Sequence, residues 1–376
     1  MKIAIVNCFD TYEDRVDLLY EFFIEQGHNV TVIHSDFRHF KKEHRKDIKE
    51  GFIFIESRPY YKNISVARLY SHYKFAKDAF EVVEKIKPDL LYTLVPPNSL
   101  AKFAAKYKQK HKNVKLIFDL IDLWPETMPI GKIKKLPLFS FWKEMRDKSL
   151  KFADFVILEC NLYKTVLGDT LNGINTETVY WAKKEINVTS TPMLSEDEIH
   201  LAYLGSINNI IDIPKIKEII VAINEIKPVT LHIIGDGESK QELIDAAELA
   251  GASVVYHGKI YDPQKKQDIF DKCHFGLNIM KSSVCVGLTM KSIDYFQHGL
   301  PIINNISGDT TEIINKYKIG INIDKNLKVS CFFKNISNNL DYNIRHKCIL
   351  MFKANFSAEK FYNELDVIIK NVLNIA

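Results

Sequence analysis

Short apolar runs alternate with amphipathic segments along the whole chain. The first run, KIAIV, is followed by the helical pattern RVDLLYEFFIEQ, then by Gly27 and the apolar NVTVIH. A helix that ends at a glycine and leads into a second apolar run predicts a βαβ unit. The alternation continues through five further segments of the first half: ARLYSHYKFAKDAFEVVEKIK, DLLYTLV, SLAKFAAKYKQKH, KLIFDLI and DFVILE.

The alternation stops at a polar stretch, NVTSTPMLSEDE, which contains Pro192 and is typical of a linker. It then resumes through seven segments: IHLAYLG, IPKIKEIIVAINEIK, VTLHIIG, SKQELIDAAELAG, SVVYHG, QKKQDIFDKC and FGLNIM. Repeated βα units with short apolar strands indicate parallel sheets that helices cover on both faces. We therefore predict an α/β protein of two doubly wound, Rossmann-like domains that face each other across a cleft, with domains at 1–187 and 198–345.

Composition narrows the class of protein. A length of 376 residues with 46% hydrophobic and 26% charged residues suits two globular domains. The six cysteines are far apart and form neither Cys-x-x-Cys nor zinc-like spacings, which favours a reducing cytoplasm over disulfides or a structural metal. No apolar run approaches the ~18 residues of a membrane span, and the start lacks the cleavage region of a signal peptide. We expect a cytoplasmic protein.

Charge is distributed unevenly around a net charge of +4. Residues 1–190 hold 31 Lys and Arg against 25 Asp and Glu, whereas the remainder holds 20 against 22. This asymmetry favours an anionic partner for the first half, such as membrane lipid or phosphate. Because no nucleic-acid motif is present, we expect no nucleic-acid partner.

Two glycine turns follow apolar runs of the second half. Gly205 in YLGSINN and Gly235 in IIGDGES would let the backbone approach a phosphate at the start of the next helix. Taken alone, each is more typical of an ordinary turn after a strand. Their order along the chain is more informative than either turn alone.

The series YLGSINN, LHIIGDGESKQELI, VVYHGKI, CHFGLNIMKS, KSIDYFQHGLPII resembles the C-terminal domain of retaining, family-4-type glycosyltransferases of the GT-B fold. The first half resembles the same family through EFFIEQGHNVTVI and LIFDLIDLWPE; the Asp-Leu-Trp-Pro-Glu segment is similar to a subset from bacterial surface-polysaccharide pathways. The resemblance covers nearly the whole chain. It implies that the final segment, residues 346–376, is helical and crosses back onto the first domain.

The resemblance also implies a donor site in VGLTMKSIDYF. Family members carry two acidic residues eight positions apart here; the second corresponds to Asp294, whereas the first corresponds to Val286 and is missing. The amides of Thr289, Met290 and Lys291 would begin a helix that faces the donor diphosphate, and Lys291 would add a full positive charge. Alternatively, Lys291 and Asp294 form a solvated i,i+3 pair of little energetic consequence.

Other positions depart from the family pattern. Ser206 and Asp212 stand where an arginine and a lysine are usual, so phosphate charge would come from Lys291, Lys281 and Arg15. Two further residues, Gly205 and Lys259, complete the predicted substrate-binding set with Ser206.

The first-domain site departs as well. Ile121 replaces a usual histidine, and the adjacent Asp122 and Glu126 become catalytic candidates together with Lys291. The alternative for DLWPE is a structural turn in which Trp124 packs and Pro125 begins a helix.

Residues 131–152 interleave basic residues with Phe139, Phe141 and Trp142. Such a segment could dock on an anionic membrane. However, Leu138, Trp142, Met145, Ser149 and Phe152 share one helical face, which core packing explains equally well.

Together these features predict a retaining, metal-independent glycosyltransferase without cofactors. It would move a sugar from a nucleotide-sugar, of which UDP-sugar is favoured, to a lipid-linked saccharide at the inner face of the plasma membrane. Two alternatives stay open: a non-catalytic GT-B paralogue that assists an active transferase, and a nucleotide-sugar epimerase.

Overall fold

The computed structural model describes residues 1–62, 65–128, 130–131, 137–323 and 342–373. The chain separates into two compact units. The first comprises Met1–Lys183 with Ala358–Ala376, and the second comprises Lys184–Ser357.

The first unit contains a seven-stranded sheet in the order β5-β2-β1-β6-β7-β8-β9, and all its pairs are parallel. Its strands are β1 (Lys2–Asn7), β2 (Asn29–Ser35), β5 (Phe52–Ile55), β6 (Leu90–Val95), β7 (Lys115–Leu120), β8 (Phe155–Leu158) and β9 (Thr176–Thr178). A separate antiparallel pair consists of β3 (Phe37–Arg38) and β4 (Glu43–His44).

Six helices are described in this unit: α1 (Glu13–Glu25), α2 (Val66–Ile86), α3 (Asn98–Lys110), α4 (Pro137–Leu150), α5 (Asn161–Leu167) and α12 (Ala358–Leu373). Local sequence sets their limits. Ser65 caps α2 by accepting a hydrogen bond from the Arg68 N–H. At the other end, Lys87 is the C-cap and adopts a left-handed backbone conformation with a φ of 50°, which ends the helix just before Pro88. Strand β6 is buried along its whole length, as expected for a central parallel strand.

The second unit contains a six-stranded parallel sheet in the order β12-β11-β10-β13-β14-β15. Its strands are β10 (Ile199–Leu204), β11 (Val229–Ile234), β12 (Ser253–Gly258), β13 (Phe275–Asn278), β14 (Ile302–Asn304) and β15 (Gly320–Asn322). Its helices are α6 (Ile213–Asn224), α7 (Lys240–Leu249), α8 (Pro263–Phe270), α9 (Met290–Gln297), α10 (Asp309–Tyr317) and α11 (Tyr342–Phe356).

The strand order reverses between β1 and β6 in the first sheet and between β10 and β13 in the second. In open parallel sheets, ligands bind beyond the carboxyl ends of the strands at such reversals. The predicted α/β class with two Rossmann-like domains is confirmed. Among the described residues, no helix combines the length and apolarity that crossing a bilayer requires.

The polar stretch near Pro192 is part of the second unit. The Thr191 N–H and the Ser190 hydroxyl donate to the Asp271 carboxylate at 2.6 and 2.9 Å, and the Met193 N–H donates to the Asp271 carbonyl at 2.9 Å. Polarity and proline predicted a linker there, but one acceptor-rich residue after α8 holds this segment against its own unit. The boundary between the units lies at Lys183 and Lys184.

Candidate functional site

Two glycine turns interlock at the carboxyl edge of the second sheet. Gly205 and Gly235 follow β10 and β11 with φ values of +115° and +146°. A Cβ on Gly235 would lie 1.9 Å from the Gly205 carbonyl oxygen, and one on Gly237 would lie 2.2 Å from that of Ile207. Glycine is therefore required for the close approach of the two loops. The Ile207 N–H, which donates to the Asp236 carbonyl at 3.0 Å, helps to hold them together.

Lys291 extends from the first turn of α9 toward the end of β10. Its Nζ lies 4.4 Å from the centroid of the Tyr203 ring and 3.3 Å from the Tyr203 hydroxyl, which donates to the Ser206 carbonyl at 2.9 Å. A Cβ on Gly205 would lie 4.0 Å from the Lys291 Cε. Burial lowers the pKa of Lys291 to about 8. A partly neutralised ammonium thus lies beside the Gly205 turn.

Thr289 fixes the start of α9. Its Oγ1 accepts a hydrogen bond from the Ser292 N–H at 3.2 Å, which makes Thr289 the N-cap. The N–H groups of Met290 and Lys291 belong to the first turn, whose donors have no partner within the helix. This helix start carries a partial positive charge next to the Lys291 ammonium, an arrangement that favours anions.

A row of three asparagines holds Thr289 through a chain of side-chain hydrogen bonds. Asn278, Asn304 and Asn322 each end a strand and occupy paired positions in β13, β14 and β15. Asn278 accepts from the Thr289 hydroxyl at 2.8 Å and donates to Asn304 at 2.9 Å, which in turn donates to Asn322 at 2.8 Å. We missed this row in the sequence, although the endings FGLN, IIN and GIN are its signal.

The other donor-site candidates lie around this centre. Ser206 is exposed beside the Gly205 turn. Lys281 is exposed after β13, and its N–H donates to the Ile210 carbonyl in the loop that follows β10. Lys259 is 59% exposed and lies 3.9 Å from Asp236 in the second glycine turn. Asp212, at the family's usual lysine position, caps α6 instead by accepting from the Lys215 N–H.

Asp294 and Lys291 take different partners. The Asp294 carboxylate lies 3.2 Å from Lys266 Nζ on α8, whereas Lys291 donates to Tyr203. The alternative of a solvated i,i+3 pair between them is therefore wrong. A contact of Asp294 with a donor ribose stays a prediction.

Two predicted site residues of the first unit are held in structural ion pairs. Arg15 is fully buried, donates to both oxygens of Asp119 at 2.7 and 3.0 Å, and reaches the Val179 carbonyl at 3.2 Å. The expectation that Arg15 supplies phosphate charge is therefore wrong, because its guanidinium is fully buried and paired with Asp119. Glu126 accepts from the buried Arg146 at 3.0 and 2.8 Å through its two oxygens. That geometry corresponds to a structural turn rather than to a catalytic acid. Residues 124–127 form this turn, and Pro125 does not begin a helix as the alternative expected.

Asp122 is placed differently, at the carboxyl end of β7. Its carboxylate accepts from the Trp124 Nε1–H at 2.8 Å and from the Thr127 hydroxyl, which stabilises the turn. Burial raises the pKa of Asp122. Ile121, at the family's histidine position, is buried. Asp122 is the remaining acidic candidate from the sequence at this edge.

Comparison with known proteins agrees with this architecture. Residues 198–340 match the family described as Glycosyl transferases group 1. No curated protein matches the sequence. Sucrose-phosphate synthase from Thermosynechococcus elongatus has a similar structure, with a TM-score of 0.74 at 12% identity over 100% of both chains.

Solved structures of two further proteins are similar. HepE of Anabaena in complex with UDP has a TM-score of 0.70 at 13% identity, covering 98% of this chain and 100% of that one, and a HepE complex with UDP-glucose has a TM-score of 0.63 at 14% identity, covering 98% and 99%. The lipopolysaccharide outer core galactosyltransferase WaaB has a TM-score of 0.69 at 14% identity over 100% of both chains. The protein therefore has the GT-B fold of two Rossmann-like domains, and its second half has the sequence pattern of group 1 glycosyl transferases.

Proposed function

We propose that the protein transfers a sugar from a nucleotide-sugar, preferably a UDP-sugar, to a saccharide acceptor. The observation that carries this proposal is the convergence of Lys291, the Gly205 turn and the start of α9 at one edge of the second sheet. This edge lies in the part of the chain that matches group 1 glycosyl transferases. The complexes of HepE with UDP and UDP-glucose support the choice of base.

The chemistry follows from charge at the leaving group. When the bond between the sugar and the diphosphate oxygen breaks, negative charge grows on the diphosphate. The Lys291 ammonium and the N–H groups of the first turn of α9 would stabilise that charge without a metal ion. We assign retention of the anomeric configuration from the resemblance to retaining enzymes. Asp122 is our candidate for the acceptor side.

A lipid-linked acceptor at the inner face of the plasma membrane accounts for the charge asymmetry. The excess of basic residues in positions 1–190 would favour an anionic bilayer. The similarity to WaaB, a lipopolysaccharide galactosyltransferase, supports a role in surface polysaccharide synthesis.

Donor hydrolysis tests the proposal without knowledge of the acceptor. The protein is incubated with UDP-glucose, UDP-galactose and UDP-N-acetylglucosamine in EDTA, and UDP release is measured. We expect slow release with one donor and its loss in Lys291→Met. A requirement for manganese would contradict metal independence, and the absence of a thermal shift with every nucleotide would refute the donor site.

A non-catalytic partner of an active transferase is the second candidate. It is favoured by Ser206, Val286 and Ile121 at positions where the family has functional side chains, and by the pairing of Glu126 with Arg146. Binding of UDP without hydrolysis of any donor would support this candidate over the enzyme. Isomerised sugar in the same incubation would instead indicate an epimerase.

A further inference from the structure

A polar groove lies in the first unit, between the edge strand β9 and helix α12. Its volume is about 750 Å³, within the usual range for sites that bind small molecules. It begins at the amino ends of β7 and β8 and follows β9 as far as Val179. None of the site residues predicted from the sequence, all of which the structure describes, lines it. We call it the β9 groove.

The β9 groove is remote from the acceptor candidate Asp122. Lys115 lines the groove at the amino end of β7, whereas Asp122 follows the carboxyl end of the same strand. At roughly 3.3 Å per residue, the stretch from Lys115 to Asp122 spans about 20 Å. A molecule in the groove would therefore not touch the Asp122 carboxylate unless it extended over several sugar units.

Strand β9 has an open edge beside the groove. It is the last strand of the first sheet and pairs with β8. The Val156 N–H of β8 donates to the Asn175 carbonyl at 2.9 Å, and Val156 is the register partner of Thr176. In this parallel register the N–H and carbonyl groups of Thr176 and Thr178 point away from β8. They offer two donors and two acceptors at the open edge.

Amide side chains add further donors and acceptors. Asn175, Asn363 and Asn371 line the β9 groove, are exposed, and make no side-chain hydrogen bond to a described residue. Each amide carries two N–H donors and one carbonyl acceptor. Together with the edge of β9, they give the groove both kinds of hydrogen-bonding group along its length.

The charges of the groove are largely compensated. Three carboxylates line it, and each lies near a lysine, in the pairs Asp154–Lys108 at 2.8 Å, Glu364–Lys360 at 3.0 Å and Glu177–Lys164 at 3.9 Å. Lys115 forms no ion pair with a described residue and adds one further donor. Because most charges are already matched, the groove favours a neutral polar ligand over an ion.

Apolar side chains also line the β9 groove. Phe155, Ile368 and Val372 are largely buried, whereas Val367 of α12 is 58% exposed. A sugar ring has apolar C–H faces and a rim of hydroxyl groups. Its faces can pack on apolar side chains while its hydroxyls bond to the polar ones. The mixture of side chains in the groove is therefore suited to a saccharide.

We propose that the β9 groove binds a neutral oligosaccharide, with hydroxyl groups on Asn363, Asn371 and the open edge of β9. A hydroxyl both donates and accepts, so it can use the donors and the acceptors of the groove together. Strand β9 has only three residues, so its edge offers an added peptide strand few main-chain hydrogen bonds. The inference rests on the proposed function only in making this saccharide a remote part of the acceptor.

Neutral trisaccharides test the proposal in the intact protein without nucleotide. The probes are maltotriose, cellotriose, mannotriose and triacetylchitotriose, with trigalacturonate as the anionic counterpart, and binding is measured by calorimetric titration. We expect at least one neutral probe to bind with a Kd below about 1 mM. Its affinity should not change when sodium chloride is raised, because salt screens only charged ligands. Failure of all four neutral probes would refute the site, and tighter, salt-sensitive binding of trigalacturonate would overturn the neutral ligand.

Two variants localise the binding. The double change Asn363→Ala and Asn371→Ala should weaken the best trisaccharide about tenfold, the loss of two neutral hydrogen bonds, and alanine suits the helix. Val367→Trp should fill the groove and prevent binding. The matched controls Asn29→Ala on β2 and Val66→Trp on α2, both exposed and outside the groove, should change nothing. With wild-type melting temperatures, unchanged affinity in both test variants would refute the site.

UDP titration of the same preparations separates this inference from the proposed function. Intact UDP binding without trisaccharide binding refutes the β9 groove alone. Trisaccharide binding that the α12 variants weaken, without UDP binding, refutes the donor site and supports the β9 groove.

Discussion

The ionisation of Lys291 gives the donor site a pH signature. Burial lowers its pKa to about 8, so the charged fraction falls from about nine tenths at pH 7 to about one tenth at pH 9. UDP keeps its full phosphate charge over this range, because the second phosphate pKa is about 6. If the protonated ammonium contacts the diphosphate, UDP affinity should fall about tenfold between pH 7 and pH 9.

Calorimetric titration of three proteins measures this effect. Lys291→Arg keeps its charge throughout and should show a flat profile, since a guanidinium does not titrate below pH 12. Lys291→Met should also be flat, with affinity at pH 7 reduced roughly 10- to 150-fold by the loss of a charge-assisted contact. Lys281→Gln, an exposed control, should keep the slope of the wild type.

The same shift predicts a cost in stability. The pKa of Lys291 is lowered from 10.5 in the unfolded chain, so between about pH 8 and pH 10.5 the unfolded state binds more protons and the free energy of unfolding rises with pH. Below pH 8 the full loss in the free energy of unfolding is present. It is at most about 3 kcal/mol, because Lys291 is only partly shielded from solvent. Lys291→Met should therefore be more stable than the wild type at pH 7. A flat wild-type affinity profile together with undiminished UDP binding by Lys291→Met would remove Lys291 from the site.

Three further outcomes are expected. Asp294→Ala should weaken UDP roughly 10- to 150-fold by titration, whereas Lys266→Met, which removes only the ion pair, should not; equal effects of the two would make Asp294 structural. Asn278→Ala should weaken UDP by releasing Thr289, and a lower melting temperature with unchanged UDP affinity would contradict a positioning role. Burial lowers the pKa of His232 to about 4, so the wild-type free energy of unfolding should fall as the pH drops from 6.5 to 4; urea denaturation of His232→Gln should show a smaller fall, and parallel curves would contradict it.

Local patterns predicted the parts of the fold that depend on near neighbours in sequence. Apolar runs and helix ends located the strands, because burial on both faces leaves a continuous apolar signature. The turn at Gly235 was also recognisable. Its reason was not, since the carbonyl that excludes a Cβ belongs to Gly205, thirty positions earlier.

Ion pairs between residues that are far apart in the sequence could not be predicted from the sequence. Arg15 was a candidate for phosphate charge, but Asp119 lies 104 positions away and becomes its partner only when β7 is in the sheet. Glu126 followed a recognisable motif, yet its carboxylate is held by Arg146 on α4. Charge type alone does not indicate whether a residue serves a ligand or the fold.

A residue that serves a ligand can be distinguished from one that serves the fold by whether its buried charge is paired with an opposite charge. Arg15 and Arg146 are buried together with carboxylates, and such pairs need nothing from outside because each charge is already matched. Lys291 lies against the ring and hydroxyl of Tyr203 and forms no ion pair in the described part of the chain. Because burial lowers the pKa of Lys291, its charged form destabilises the folded protein, and a bound anion would offset that destabilisation. With Ser206 in place of the family's arginine, Lys291 is the charge in this turn on which diphosphate binding would depend.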